Sequence, residues 1–278
     1  MPSATASVPE PGPTPAPIAS LPSGAPIPTA APPSKPIPVG ALLAALPSRA
    51  DAVLTRLHKC LATPAGIDTV MLFVCYTSRL SASALTGLSA SPAGKWLALV
   101  LSTRASATLA ARLRALSTLL SEARTILRLW ALLGMYTWGK GLVGKTLRGS
   151  PEGEKESKTT MVIEWARLLC CVGLQGLENG AYLSSRGVLG WTPAQQGLAY
   201  KWSARFWAAY IGIELGRLLA GSTEETGEWR KKVARNAAWM PLTLHWSTDV
   251  GFVSEPVIGA LASVPGIIQM RDLWASTK

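Results

Sequence analysis

From residue 48 onward, apolar side chains recur at intervals of three and four, and no stretch alternates with the two-residue period of a strand. "SRADAVLTRLHKCLA" opens on Ser48 as an N-cap and places Val53, Leu54, Leu57 and Leu61 on one side. After a break at Pro64 and Gly66, "GIDTVMLFVCYTSRLSASAL" is apolar around most of its circumference. Residues 93–142 predict one long helix, or two joined near Thr103. Residues 161–191 follow as a largely apolar run interrupted by Glu164, Arg167 and Glu178. Residues 194–221 carry an aromatic side of Trp202, Phe206, Trp207 and Tyr210, and 233–270 complete the pattern. The polar stretches 148–160 and 221–232 read as solvated loops. The class this predicts is all-α: a membrane-associated helical bundle with amphipathic helices and one or two marginal transmembrane helices.

The stretch "LAARLRALSTLLSEARTILRLWALL", residues 109–133, is the most amphipathic. At 100° per residue, Leu109, Leu113, Leu116, Leu120, Leu127, Trp130 and Leu133 fall in one broad arc. Arg114, Ser117, Ser121, Arg124, Thr125 and Arg128 fall opposite, and Arg112 lies on the apolar side. Either a bundle core or a lipid surface accounts for the leucines. The nearly acid-free polar side tilts the balance towards lipid, with Arg112, Arg114, Arg124 and Arg128 at anionic headgroups. A spanning helix needs about 20 apolar residues. Residues 161–183 and 250–270 reach that length, although Glu178 and Glu255 lie within them and Pro256 and Pro265 bend the second.

Composition strengthens the lipid reading. Hydrophobic residues make up 48% of the 278, and charged residues 15%, against about 25% in soluble chains. Mean hydropathy is +0.25. Lys and Arg outnumber Asp and Glu by 27 to 16, which suits an anionic partner; eleven Trp point to a bilayer interface rather than nucleic acid. Residues 1–47 hold most of the prolines and almost no charge, and read as a disordered Pro-rich tail that precedes a helical domain at 48–275. The tail has neither the basic start nor the apolar core of a targeting peptide, and "WASTK" at the C-terminus is no receptor-read address.

The chemistry-bearing residues argue against an enzyme. Cys60, Cys75, Cys170 and Cys171 have no metal or redox spacing, and fit a reducing, cytosol-facing compartment. His58 and His245 lie far apart in sequence. "GKGLVGKT" at 139–146 has the letters of a phosphate-binding loop but no strand before it, and reads as a helix terminus with Lys140 and Lys145 near headgroups. No cofactor or metal is expected.

Five segments taken in order, "GIDTVMLFVCYTSRL", "LSTLLSEARTILRLW", "GLENGAYLSSRGVLGW", "KWSARFWAAYIGIELGRL" and "VGFVSEPVIGALASVPGIIQMRDLW", resemble the peroxin-11 family of peroxisomal membrane proteins, its fungal C-type branch most. The likeness covers roughly residues 48–275. Gly66, Asp68, Tyr76 and Arg79 match the first signature, in which Ile67 and Thr69 replace two basic residues. Glu178, Asn179, Asp249, Gly259 and Gly266 match later ones and read as architectural. The resemblance implies a peroxisomal membrane location and elongation of that membrane by the arginine-rich helix. It also implies division and proliferation of the organelle, self-association or association with relatives, and recruitment of a fission adaptor and a dynamin-related GTPase. Two other classes stay open. One is a pore for small metabolites lined by Glu164, Arg167, Glu178, Asp249 and Glu255; the other is a helical adaptor without membrane activity.

Overall fold

A computed structural model describes residues 48–90, 103–148, 158–221 and 226–277. The expected Pro-rich tail lies outside the described residues. The chain divides into Met1–Ser48 and Arg49–Lys278, and the helices belong to the second unit. The fold is all-α, with eight helices among the described residues: α1 (Ser48–Cys60), α2 (Pro64–Ala90), α3 (Thr103–Arg128), α4 (Ala131–Arg148), α5 (Lys158–Ser185), α6 (Pro193–Gly221), α7 (Gly227–Trp246) and α8 (Glu255–Ser276).

The ends of these helices are written locally. Thr63 accepts from the Gly66 amide at 3.0 Å at the start of α2. Thr192 and Gln195 form a reciprocal box before α6: the Gln195 amide donates to the Thr192 hydroxyl, and the Thr192 amide to the Gln195 side-chain oxygen. Gly187, with φ of +77°, turns the chain out of α5 while Val188 N–H reaches back to the Leu183 carbonyl at 2.9 Å. Thr226 caps α7 by accepting from the Trp229 amide.

Several boundaries differ from those the pattern predicts. Residues 109–133 are not one helix, because α3 ends at Arg128 and a turn at Leu129 and Trp130 leads into α4. Trp130 and Leu133 therefore leave the leucine arc. Residues 158–160 and 227–232 are helical rather than loop. Residues 250–254 are not helical, which shortens the second expected span to α8. Among the described residues, α5 is the one helix long and apolar enough to cross a membrane, or one of two if α1 and α2, bent by 115°, count as a broken span.

The packing order is circular. α2 lies between α3 and α8; α8 packs on α7, α7 on α6, α6 on α5, and α4 lies against the outer side of α5. Side chains close the ring between α3 and α5: Asn179 donates to the Leu129 carbonyl at 3.1 Å and Arg128 grips Glu178. An apolar core of Leu72, Cys75, Tyr76, Leu242, Ile258 and Ala262 joins α2, α7 and α8, with Trp239 and Trp246 against it.

What is outside decides the character of the bundle. Leu119 is 64% exposed, Trp130 72%, Leu133 66% and Leu169 61%, and Leu132, Tyr136, Val143 and Leu147 on α4 are exposed as well. A soluble monomer rarely leaves contiguous apolar area on this scale in water. Exposed apolar side chains beside the largely buried ion pairs of Arg124 and Arg167 are consistent with a membrane-associated helical bundle.

Candidate functional site

Six ion pairs link elements that are neighbours in the ring. Asp68 on α2 accepts from Arg124 on α3 at 2.7 Å. Arg128 on α3 pairs with Glu178 on α5 at 2.8 Å. Arg167 on α5 pairs with Glu214 on α6, and also with Glu164 one turn before it. Lys201 on α6 pairs with Asp249, three residues beyond α7. Lys231 on α7 pairs with Asp272 on α8 at 2.6 Å, and Glu255 at the start of α8 takes both arms of Arg79 on α2, at 2.8 and 2.6 Å. Five of the six neighbouring helix pairs are thus bridged directly by opposite charges, and α6 is tied to the turn after α7 through Asp249. In hydrocarbon, where apolar faces gain little by associating, such polar contacts are what pins helices together.

The arginine side of α3 supplies the centre. Its polar arc from Arg114 to Arg128 lines two cavities, over a rise of about 21 Å. The larger, about 680 Å³, is bordered by Arg79, Arg114, Ser117, Glu122, Tyr182, Arg186 and Glu255. The smaller, about 460 Å³, is bordered by Asp68, Arg124, Arg128, Gln175, Glu178, Gln269 and the trio Trp207, Trp239 and Trp246. Both touch Tyr76, Ser121 and Thr125. Buried Tyr76, which meets Trp239 edge to face at 5.8 Å, lies on the wall of both spaces.

The expected site residues sort accordingly. Leu109, Leu116 and Leu127 are exposed, as are Trp130 and Leu133; Leu113 is half-buried and Leu120 packs against the core, so Leu120 is not a lipid-facing residue. Arg112 is exposed. Arg114 donates to the Thr86 hydroxyl at 2.8 Å. Arg124 and Arg128 are taken by carboxylates inside the ring, which corrects the headgroup role expected for them. Asp68, Arg79 and Glu178 are ring partners, and Asn179 also accepts from Gln175 at 2.6 Å. At Gly66 a Cβ would overlap the Cys60 carbonyl oxygen, while Gly259 and Gly266 let α8 approach the backbone of α2. The pattern alone did not single out Glu122, which accepts from Tyr182 and Arg186, or the tryptophan trio. One usable signal existed: acids set in apolar helices need cations, and α3 holds them.

Residues 139–146 are helical, so their amides are committed to the helix; Thr146 donates to the Leu142 carbonyl and accepts from the Trp165 indole. No cradle for phosphate forms there. His245 accepts from the Val253 amide at 2.9 Å and fixes the α7–α8 turn. Among the described residues no group of His, Cys, Asp and Glu is placed to hold a metal.

Lys201 gives a pH dependence. Its hydrogen bond and charge hold the Asp249 carboxyl below the ordinary aspartate range. Because the folded value is depressed, the tether is present above the unfolded value of about 3.9 and is lost as pH falls through the lower folded value. The neighbouring Trp246 emission, titrated from about pH 6 to pH 2, is expected to shift in that acid window. In Asp249→Asn that step should be missing; an identical step in the variant refutes the assignment.

No family model matches the chain, and no solved structure matches it. An uncharacterized protein of Schizosaccharomyces pombe is 29% identical over 106 residues, a segment that covers 38% of this chain and 56% of that protein. The match thus spans little more than half the length of that relative.

Proposed function

We propose that this chain is an integral protein of the peroxisomal membrane, of the peroxin-11 type, that elongates the membrane and promotes division and proliferation of the organelle. The observation carrying the membrane reading is the arrangement on α3, with Leu109, Leu116, Leu119 and Leu127 outside and Arg124 and Arg128 held inside. The ordered resemblance of five segments carries the rest. The wedge is not α3 lying flat with Arg124 and Arg128 among headgroups. It is the bundle itself, with α4 added against the first half of α5, where Trp165 reaches Thr146 and Gly139 faces Leu168. An extra apolar helix at one end widens the inclusion in one leaflet, and the bilayer relieves the imbalance by curving. Arg112 and Lys140, both exposed, supply contacts to anionic lipid. Copies of the chain or its relatives then concentrate the effect, and a fission adaptor with a dynamin-related GTPase completes division.

The two cavities favour a second reading beside the first: a path for small polar solutes through the ring, with Tyr76 on the wall of both cavities.

Full-length protein carrying Leu116→Glu, Leu119→Glu and Leu127→Glu tests the principal reading. Each buried leucine is worth about 1.5–3 kcal/mol to an apolar environment, so three carboxylates on that face should release the protein under alkaline extraction. Overexpression of the parent should lengthen organelles bearing a peroxisomal marker, and the variant should not. A parent that neither meets the marker nor resists extraction ends the proposal; a variant that elongates as well as the parent ends the role of this face.

A further inference from the structure

We propose that the larger cavity binds a small oxyanion, a carboxylate or phosphate group, on Arg114. The inference deepens the solute-path reading and rests on it. Three guanidiniums border the space, and two are already neutralised: Arg79 is held by both oxygens of Glu255, and Arg186 by Glu122. Arg114 is exposed and makes no salt bridge among the described residues; the Glu255 carboxylate acts on it through space, and its hydrogen bond to the Thr86 hydroxyl uses a single N–H. A guanidinium has five, in a planar fork that matches the paired oxygens of a carboxylate or phosphate. Glu122 and Glu255 border the same space but are each held by an arginine; Ser121 offers a hydroxyl, while Tyr182 and Thr118 already donate to the Glu122 carboxylate and the Arg114 carbonyl. At about 680 Å³ the space is in the range of small-molecule sites. With three guanidiniums against the two carboxylates of Glu122 and Glu255, the lining carries a net positive charge that an incoming anion would offset.

The test is equilibrium binding of inorganic phosphate and of butyrate to the full chain in phosphatidylcholine nanodiscs. The parent is expected to bind with a dissociation constant of about 1 mM or tighter. Arg114→Gln should weaken binding about tenfold or more, the usual cost of losing hydrogen bonds to a charged group. Glu122→Gln releases Arg186 and should tighten binding severalfold, which a merely structural disturbance would not do. Arg205→Gln removes an equal charge from an exposed position outside the cavity and should leave binding unchanged. Equal affinity of Arg114→Gln and the parent, or equal loss in Arg205→Gln, overturns the site. Phosphatidic acid added to the nanodisc distinguishes the sources: competition with phosphate through Arg114 identifies a lipid headgroup, and absence of competition a free solute. Solute flux in the same preparations separates this inference from the reading beneath it, since flux can persist while the anion site fails.

Discussion

Arg167→Leu is expected to cost about 3–5 kcal/mol, a large part of the stability of an ordinary domain. The guanidinium sits between Glu164 and Glu214 and links α5 to α6, with the Glu214 side chain only 10% exposed. Trp138 and Tyr210 flank the same guanidinium, with ring centres 5.5 and 5.8 Å away. Removing the cation leaves two carboxylates facing apolar surroundings, with Glu214 answered only by Arg217 at 3.1 Å. The penalty is the stranded charge more than the lost attraction, so the double variant Arg167→Leu, Glu214→Leu should recover most of the loss. Unfolding in denaturant, followed by helical signal in detergent micelles, measures both. A single variant as stable as the parent would mean that water screens the pair.

Gly259→Leu and Gly266→Leu are the second large effect, about 1–3 kcal/mol each and more where the backbone cannot retreat. A Cβ at Gly259 would lie 3.0 Å from the Leu80 Cα, and one at Gly266 3.2 Å from the Phe73 Cα. Those neighbours are main chain and have no rotamer to yield. Pushing α8 from α2 also pulls Leu72 from Ile258 and Ala262 and stretches Arg79 from Glu255. Gly216→Ala makes the contrast, because a Cβ there meets nothing within 4 Å and alanine favours the helix by up to about 1 kcal/mol. If all three substitutions proved equally mild, the close approach would have no energetic meaning.

The helices and their two-sided character were legible because both are local. The leucine arc of α3 and the aromatic side of α6 follow from spacing within two or three turns. The direction each arc faces was not, since it depends on partners far along the chain: Asp68 for Arg124, 56 residues away, and Glu255 for Arg79, 176 away. Seen alone, Arg124 and Arg128 suit a headgroup as well as a carboxylate. The break at Leu129 also escaped notice, because neither proline nor glycine marks it; Asn179 reaches across from α5 to take the freed Leu129 carbonyl. Glycines were visible as small residues, but only the assembled bundle shows that Gly259 and Gly266 touch backbone.

Cys75 borders the larger cavity, its thiol donating to the Ser117 carbonyl at 3.3 Å, and it is reduced. The molecule therefore carries a native reporter at the floor of its own vestibule. Maleimide trapping rates at that sulfur, with Cys60, Cys170 and Cys171 replaced by serine, would time the breathing of α2 against α3.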